Sequence, residues 1–198
     1  MRLNSLVLAA CCGLLCLAFA RPAKADPWNQ RIKITFNEPV EVPGRVIGPG
    51  TYTFKLLDSK TSRNIVQIYN ADGTRLIGTY LTIPNYRLSP PGRPYVTFAE
   101  RPHGTPDAVQ AWFYPGVQYG HEFVYPHSRA MQLAKSSNQP VLASRTEVDS
   151  YSSKPIASKD APEVKQMEAA PVVAVTPQQN DEDMSNVVQG PPETATRK

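Results

Sequence analysis

Three histidines, His103, His121 and His127, are the side chains of this sequence best suited to proton transfer or metal binding near neutral pH. With Glu100, Asp107 or Glu122 they could in principle build a His/carboxylate site. His121 and Glu122 are adjacent, however, and on a strand they would point to opposite faces, so one ion could not take both without a bulge. Neither a His-x-His nor a His-Glu-x-x-His spacing occurs. Ser128 follows His127 directly, yet sequence neighbours seldom align as nucleophile and base, and no Gly-x-Ser-x-Gly elbow is present. Glu38, Glu41, Asp58, Glu100 and Glu122 offer carboxylates for glycoside hydrolysis, but nothing in their spacing selects a pair. Gly44 to Gly50 is broken by proline and followed by no Walker-type lysine, so it reads as a turn. The sequence calls for no metal and no cofactor. A hydrolase with a His/carboxylate site on a β-sandwich is the second reading, behind a non-enzymatic one.

Aromatic residues are the more suggestive group. Trp112, Phe113, Tyr114, Tyr119, Phe123 and Tyr125 fall within fourteen residues. Core packing is the commonest task of such rings. On alternating strands Trp112 and Tyr114 would share one face and Phe113 the other. Were that face exposed, Trp112, Tyr114 and Tyr119 would form a platform for a sugar or for a partner's hydrophobic patch. These three are the candidate binding residues.

The elements that would position them are strands. Ile32, Ile34 and Phe36 alternate with polar residues, as a half-buried strand requires. Thr51 to Leu57 is rich in aromatic and β-branched residues, and Asp58 to Asn64 is a polar turn. Ile65 to Tyr69 and Thr74 to Ile83 flank Asn70-Ala71-Asp72-Gly73, a strong hairpin signal closed by Pro84. Tyr95 to Ala99, Ala111 to Tyr114 and His121 to Tyr125 follow. Ser128 could cap one short helix, Arg129 to Lys135, and Val141-Leu142 could add an edge strand. Seven or eight short strands with frequent turns predict an all-β fold, an antiparallel β-sandwich over residues 26–145. Residues 146–198 hold six prolines and one aromatic, and read as a disordered tail in which Pro171 to Val175 is an incidental apolar island.

The first residues set the compartment. Arg2 precedes an apolar run from Leu6 to Phe19, and Ala18-Phe19-Ala20 and Ala23-Lys24-Ala25 suit a signal peptidase. Residues 1–25 are expected to be a signal peptide cleaved after Ala25, with Ala20 the other option. Fourteen apolar residues make about 21 Å of helix, short of a ~30 Å hydrocarbon core, so no transmembrane span is expected after processing. Leu8-Ala9-Ala10-Cys11 resembles a lipoprotein box, but apolar residues continue well past Cys11. All three cysteines lie in the leader, so the exported chain would fold without disulfides. Residues 26–145 carry 13 basic and 8 acidic groups, and residues 146–198 carry 5 and 9. A basic domain with an acidic tail could meet an anionic surface or fold its tail back on itself. The expected place is the periplasm, the cell surface or the medium, and the expected partner an envelope component, a glycan or a protein, with no nucleic acid.

Phe36-Asn37-Glu38-Pro39-Val40-Glu41-Val42-Pro43-Gly44 followed by Gly50-Thr51-Tyr52-Thr53-Phe54-Lys55-Leu56 resembles exported β-domain proteins of soil bacteria. Ile65 to Asn70, Ile83 to Arg87 and Phe123 to Pro126 extend the likeness over nearly the whole domain. The resemblance implies a secreted β-domain and brings no activity with it. Mass spectrometry of the mature N-terminus is expected to show a start at Asp26; an acylated Cys11 would overturn the cleavage site.

Overall fold

The computed structural model describes residues 31–57, 64–145 and 155–184. The leader, the 58–63 part of the predicted turn, and residues 146–154 and 185–198 of the predicted tail lie outside them. The fold is mostly β. In chain order it runs β1 (Arg31–Phe36), β2 (Val40–Val42), β3 (Arg45–Ile47), β4 (Gly50–Leu56), β5 (Ile65–Asn70), β6 (Leu76–Tyr86), β7 (Tyr95–Ala99), β8 (Asp107–Phe113), β9 (Tyr119–Phe123) and β10 (Tyr125–Pro126). Then come α1 (His127–Ser137), β11 (Val141–Ser144), α2 (Pro162–Ala169), β12 (Val172–Val175) and β13 (Asp181–Asp183).

Nine strands form one sheet in the order β1-β4-β5-β6-β9-β8-β2-β3, with β7 also paired to β8. β10 to β13 form a second sheet. Most pairings are antiparallel, but β2 runs parallel to β8 and β10 parallel to β11, so both sheets are mixed and the expectation of purely antiparallel pairing is corrected. β1 shows the expected alternation, with Ile32, Ile34 and Phe36 buried and their neighbours exposed. The β5–β6 hairpin turns where predicted: Asn70 Oδ1 accepts from the amides of Thr74 and Arg75 at 2.9 and 3.0 Å, and Gly73 supplies the positive φ of 71°.

β6 is the strand that joins the two regions of the large sheet. Its first half pairs with β5 and its second half with β9. Pro84 does not end it, contrary to the sequence expectation. The Thr82 amide points away from β9, to the Asn64 carbonyl at 2.7 Å. Two residues on, the N–H that Pro84 lacks would fall on that same side, where β5 has already run out. The Phe54 ring of β4 then packs edge-on against Trp112 of β8 (5.5 Å) and Phe123 of β9 (6.3 Å), and Phe36 of β1 meets Phe98 of β7 (6.3 Å). The sheet therefore curls until its two ends face each other across one apolar core.

The short helix starts earlier than predicted, at His127, with extended Pro126 at its N-cap and no capping side chain. Ser128 lies inside its first turn. Asn138 ends it in the left-handed conformation that asparagine tolerates. β11 is not an edge strand, because β12 pairs with it antiparallel. Part of the segment expected to be disordered is thus folded. Val173, Ala174 and Val175 are buried on β11, and Val164 and Met167 of α2 pack on Leu57 and Ile65. The main chain of Ile156 bonds the side chains of Gln67 and Thr79, at 2.9 to 3.1 Å. A few spaced apolar residues, diluted in the composition of 146–198, suffice when a preformed sheet offers them a surface.

A buried ion cluster ties the smaller parts together. The Glu41 carboxylate on β2 accepts two bonds of 2.6 Å from Arg129 of α1 and lies 3.1 Å from the Arg101 guanidinium, which also donates to the Pro106 carbonyl. Glu41 and Arg101 are almost completely buried, whereas Arg129 is a third exposed. Neutralising Glu41 leaves Arg101 charged without its counter-ion. Glu41→Gln is expected to cost about 3–5 kcal/mol in urea unfolding. Arg129→Gln should cost clearly less, and equal losses for both would contradict this account.

Candidate functional site

The aromatic cluster is set by β8 and β9. Gly120 of β9 faces Phe113 of β8, and a methyl group there would run into the Phe113 ring and the Trp112 carbonyl, so only glycine allows the strands this approach. In β8 the pairing with β7 slips by one residue, leaving Gln110 as an extra residue that lies on the same face as Ala111. Neighbours Trp112 and His121 are paired across the strands and point inward, while Ala111 and Glu122 are paired and point outward.

On the inner face, Trp112, Tyr114, Tyr119 and His121 come together. The indole stacks on the His121 ring at 5.1 Å, Tyr119 meets that ring edge-on at 4.8 Å, and Tyr114 lies 4.7 Å from Trp112. The structure therefore unites the three predicted binding residues, but around a buried histidine. Trp112 and His121 have no exposed surface and Tyr114 only 3 %, while Tyr119 is half-buried. They are not the exposed platform considered from sequence, because the curled sheet closes over that face. His121 Nδ1 lies 3.2 Å from the Thr82 hydroxyl, and its Nε2, the Trp112 Nε1 and the Tyr114 hydroxyl find no hydrogen-bond partner among the described residues. Burial holds the imidazole neutral, with its pKa lowered to about 4.

On the outer face, Glu122 accepts from Asn85 Nδ2 at 2.7 Å and from Gln110 Nε2 at 3.4 Å. The bulge is what brings Gln110 there. Burial raises the carboxyl to about 7, although both amide contacts pull the other way. Sequence reasoning placed His121 and Glu122 on opposite faces, and the structure does so.

The remaining titratable candidates are scattered. His103 is exposed in the loop after β7. His127 Nε2 lies 2.8 Å from Asp181 of β13, and Ser128 leaves the helix about 100° further round. Among the described residues no group of three or more ligating side chains is placed to hold a metal. A cleft of about 540 Å³ opens between Phe36 to Val40 and Gly104 to Asp107, but it contains no histidine, and Asp107 already accepts the Arg101 amide at 3.1 Å.

Beyond the buried rings, one end of the sheet exposes apolar side chains that sequence reasoning missed. Tyr86 is 71 % exposed, Leu88 100 %, Tyr95 40 % and Val117 37 %. Leu88 and Val117 lie on the β6–β7 and β8–β9 loops, Tyr86 and Tyr95 end the strands beside them, and the two loops are stitched together. The Arg87 amide donates to Gln118 O (2.9 Å), Gln118 Nε2 to Leu88 O (2.6 Å) and the Gly116 amide to Pro91 O (2.8 Å). The Arg87 guanidinium lies over the Tyr95 ring at 4.0 Å and near Phe113 at 5.2 Å. The one sequence signal was Leu88, an aliphatic residue stranded beside Ser89-Pro90-Pro91-Gly92.

His121 and Glu122 have opposite effects on stability as pH changes. The unfolded chain protonates His121 below about 6.5 while the fold resists protonation down to about 4, so this burial strengthens the fold as pH rises through that window. Glu122 stays protonated in the fold up to about 7 but ionises near 4.5 when unfolded, so it weakens the fold as pH rises. Each contribution is on the order of 2–3 kcal/mol, and they nearly cancel. Urea midpoints are expected to rise from pH 4 to 6.5 in Glu122→Gln, to fall from pH 4.5 to 7 in His121→Phe, and to stay nearly level in the parent. Parallel profiles for all three would refute the two assignments.

No family model matches this chain, and no curated protein and no solved structure is similar to it, so the site is read from its own geometry.

Proposed function

We propose that this chain is an exported, non-enzymatic module of the cell envelope, a curled β-sandwich that holds an envelope component at one end. The observation that carries the reading is the exposure at one end of the sheet of Leu88 and Val117, on two cross-linked loops, flanked by Tyr86 and Tyr95 at strand ends on opposite faces. Side chains of this size left in water together mark an interaction surface more often than chance exposure. The leader-like first 25 residues and the resemblance to exported β-domain proteins support the compartment. Among the described residues no helix is long and apolar enough to cross a membrane, so attachment would come from the surface of the domain.

The hydrolase reading has one contact in its favour, the His127–Asp181 pair at 2.8 Å. The conformation of α1 sets Ser128 aside from it. His121, the histidine with the most perturbed ring, is sealed in the core, away from Glu122.

Cell fractionation tests the proposal. The processed chain is expected to sediment with envelope membranes, and a Tyr86→Ser, Leu88→Asp double variant to shift largely to the soluble fraction while keeping its unfolding midpoint. Recovery of the parent chain in the cytoplasm with residues 1–25 intact would overturn the reading.

A further inference from the structure

The exposed end of the sheet has a charge as well as an apolar surface. Residues 86–95 and 114–119, which build it, include Arg87 and Arg93 and no aspartate or glutamate. Among the described residues, neither arginine has a carboxylate within ion-pair distance. Arg87 is instead held upright by the Tyr95 and Phe113 rings, and its Nε is buried without a hydrogen-bond partner. The rest of residues 26–145 carries 11 positive against 8 negative groups.

Resting on the envelope reading above, we infer that this end docks on an anionic lipid surface. Leu88 and Val117 are the residues that enter the acyl boundary, Tyr86 and Tyr95 sit at headgroup level, and Arg87 and Arg93 meet the phosphates. Charge complementarity selects this occupant: a surface whose described residues include two guanidinium groups and no carboxylate attracts an anionic leaflet. The side chains argue the same way. A sugar would need hydrogen-bonding groups around a ring, whereas fully exposed Leu88 and half-exposed Val117 offer none. Tyrosine, with an apolar ring and a polar tip, suits the membrane interface. Prolines 90, 91, 94 and 115 and the three bonds across the loops fix the surface before it binds, so little conformational freedom is lost on docking.

The test uses the processed chain recovered from producing cells and sedimented with vesicles. Vesicles of phosphatidylcholine containing about a third phosphatidylglycerol should retain it, and pure phosphatidylcholine should retain at least tenfold less, with retention falling as salt is raised. Leu88→Asp and Arg93→Glu, both at exposed positions, should each weaken retention about tenfold or more. Val46→Asp, also at an exposed position but on β3, should leave it unchanged. In Leu88→Trp the tryptophan emission should move to the blue on vesicle binding. Equal retention of Leu88→Asp, or retention indifferent to phosphatidylglycerol, would overturn the inference. A chain that sediments with native envelopes but ignores both vesicles would also overturn it, leaving the envelope reading in place with a protein or glycan as partner.

Discussion

Phe54 meets Trp112 and Phe123 edge-on, and that contact determines most of what else the molecule can do. It joins β4, near one edge of the large sheet, to β8 and β9 near the other. Without it the sheet would be an open, strongly twisted ribbon with one apolar face in water. With it, the Trp112, Tyr114 and His121 side chains pass from a surface to an interior. No cysteine lies beyond Cys16 to enforce this closure with a disulfide, so ring packing, the Glu41 cluster and the main-chain pairing must do so. Edge-to-face rings of this kind add about 1 kcal/mol each beyond their buried area, and Phe54 makes two.

The strands were legible because their signal is local. Alternation in Ile32 to Phe36 and the turn chemistry of Asn70 to Gly73 each depend on a few adjacent residues. What was not legible depends on partners distant in the chain. The parallel pairing of β2 with β8 joins residues more than sixty positions apart, and nothing in Val40-Glu41-Val42 announces it. The same holds for Val172 to Val175. Judged with its proline-rich surroundings it looked incidental, but beside Val141 to Ser144 it completes a ladder. Composition averages over a window, whereas folding uses the few residues that fit.

The candidate site shows the same division. That Trp112 and Tyr114 share a face and that His121 and Glu122 do not follow from the period of a strand. Which face is buried does not, since it is decided by the curling of the sheet. Gln110 reaches Glu122 only because β8 carries an extra residue there, a register event with no sequence mark. The exposed end was missed for a further reason. Tyr86 and Leu88, Tyr95, and Val117 come from three places in the chain and meet at one end of the sheet only when the loops are tied together.

The acidic composition of β13 has a consequence for how copies of this protein meet. Asp181, Glu182 and Asp183 form an exposed strand at the border of the second sheet, its outer side paired to no other strand among the described residues. A second molecule offering the same strand would bring carboxylate opposite carboxylate in antiparallel register. Arg145 neutralises part of that charge from within the fold but leaves Glu182 exposed. The border is thus guarded by its charge against end-to-end polymerisation.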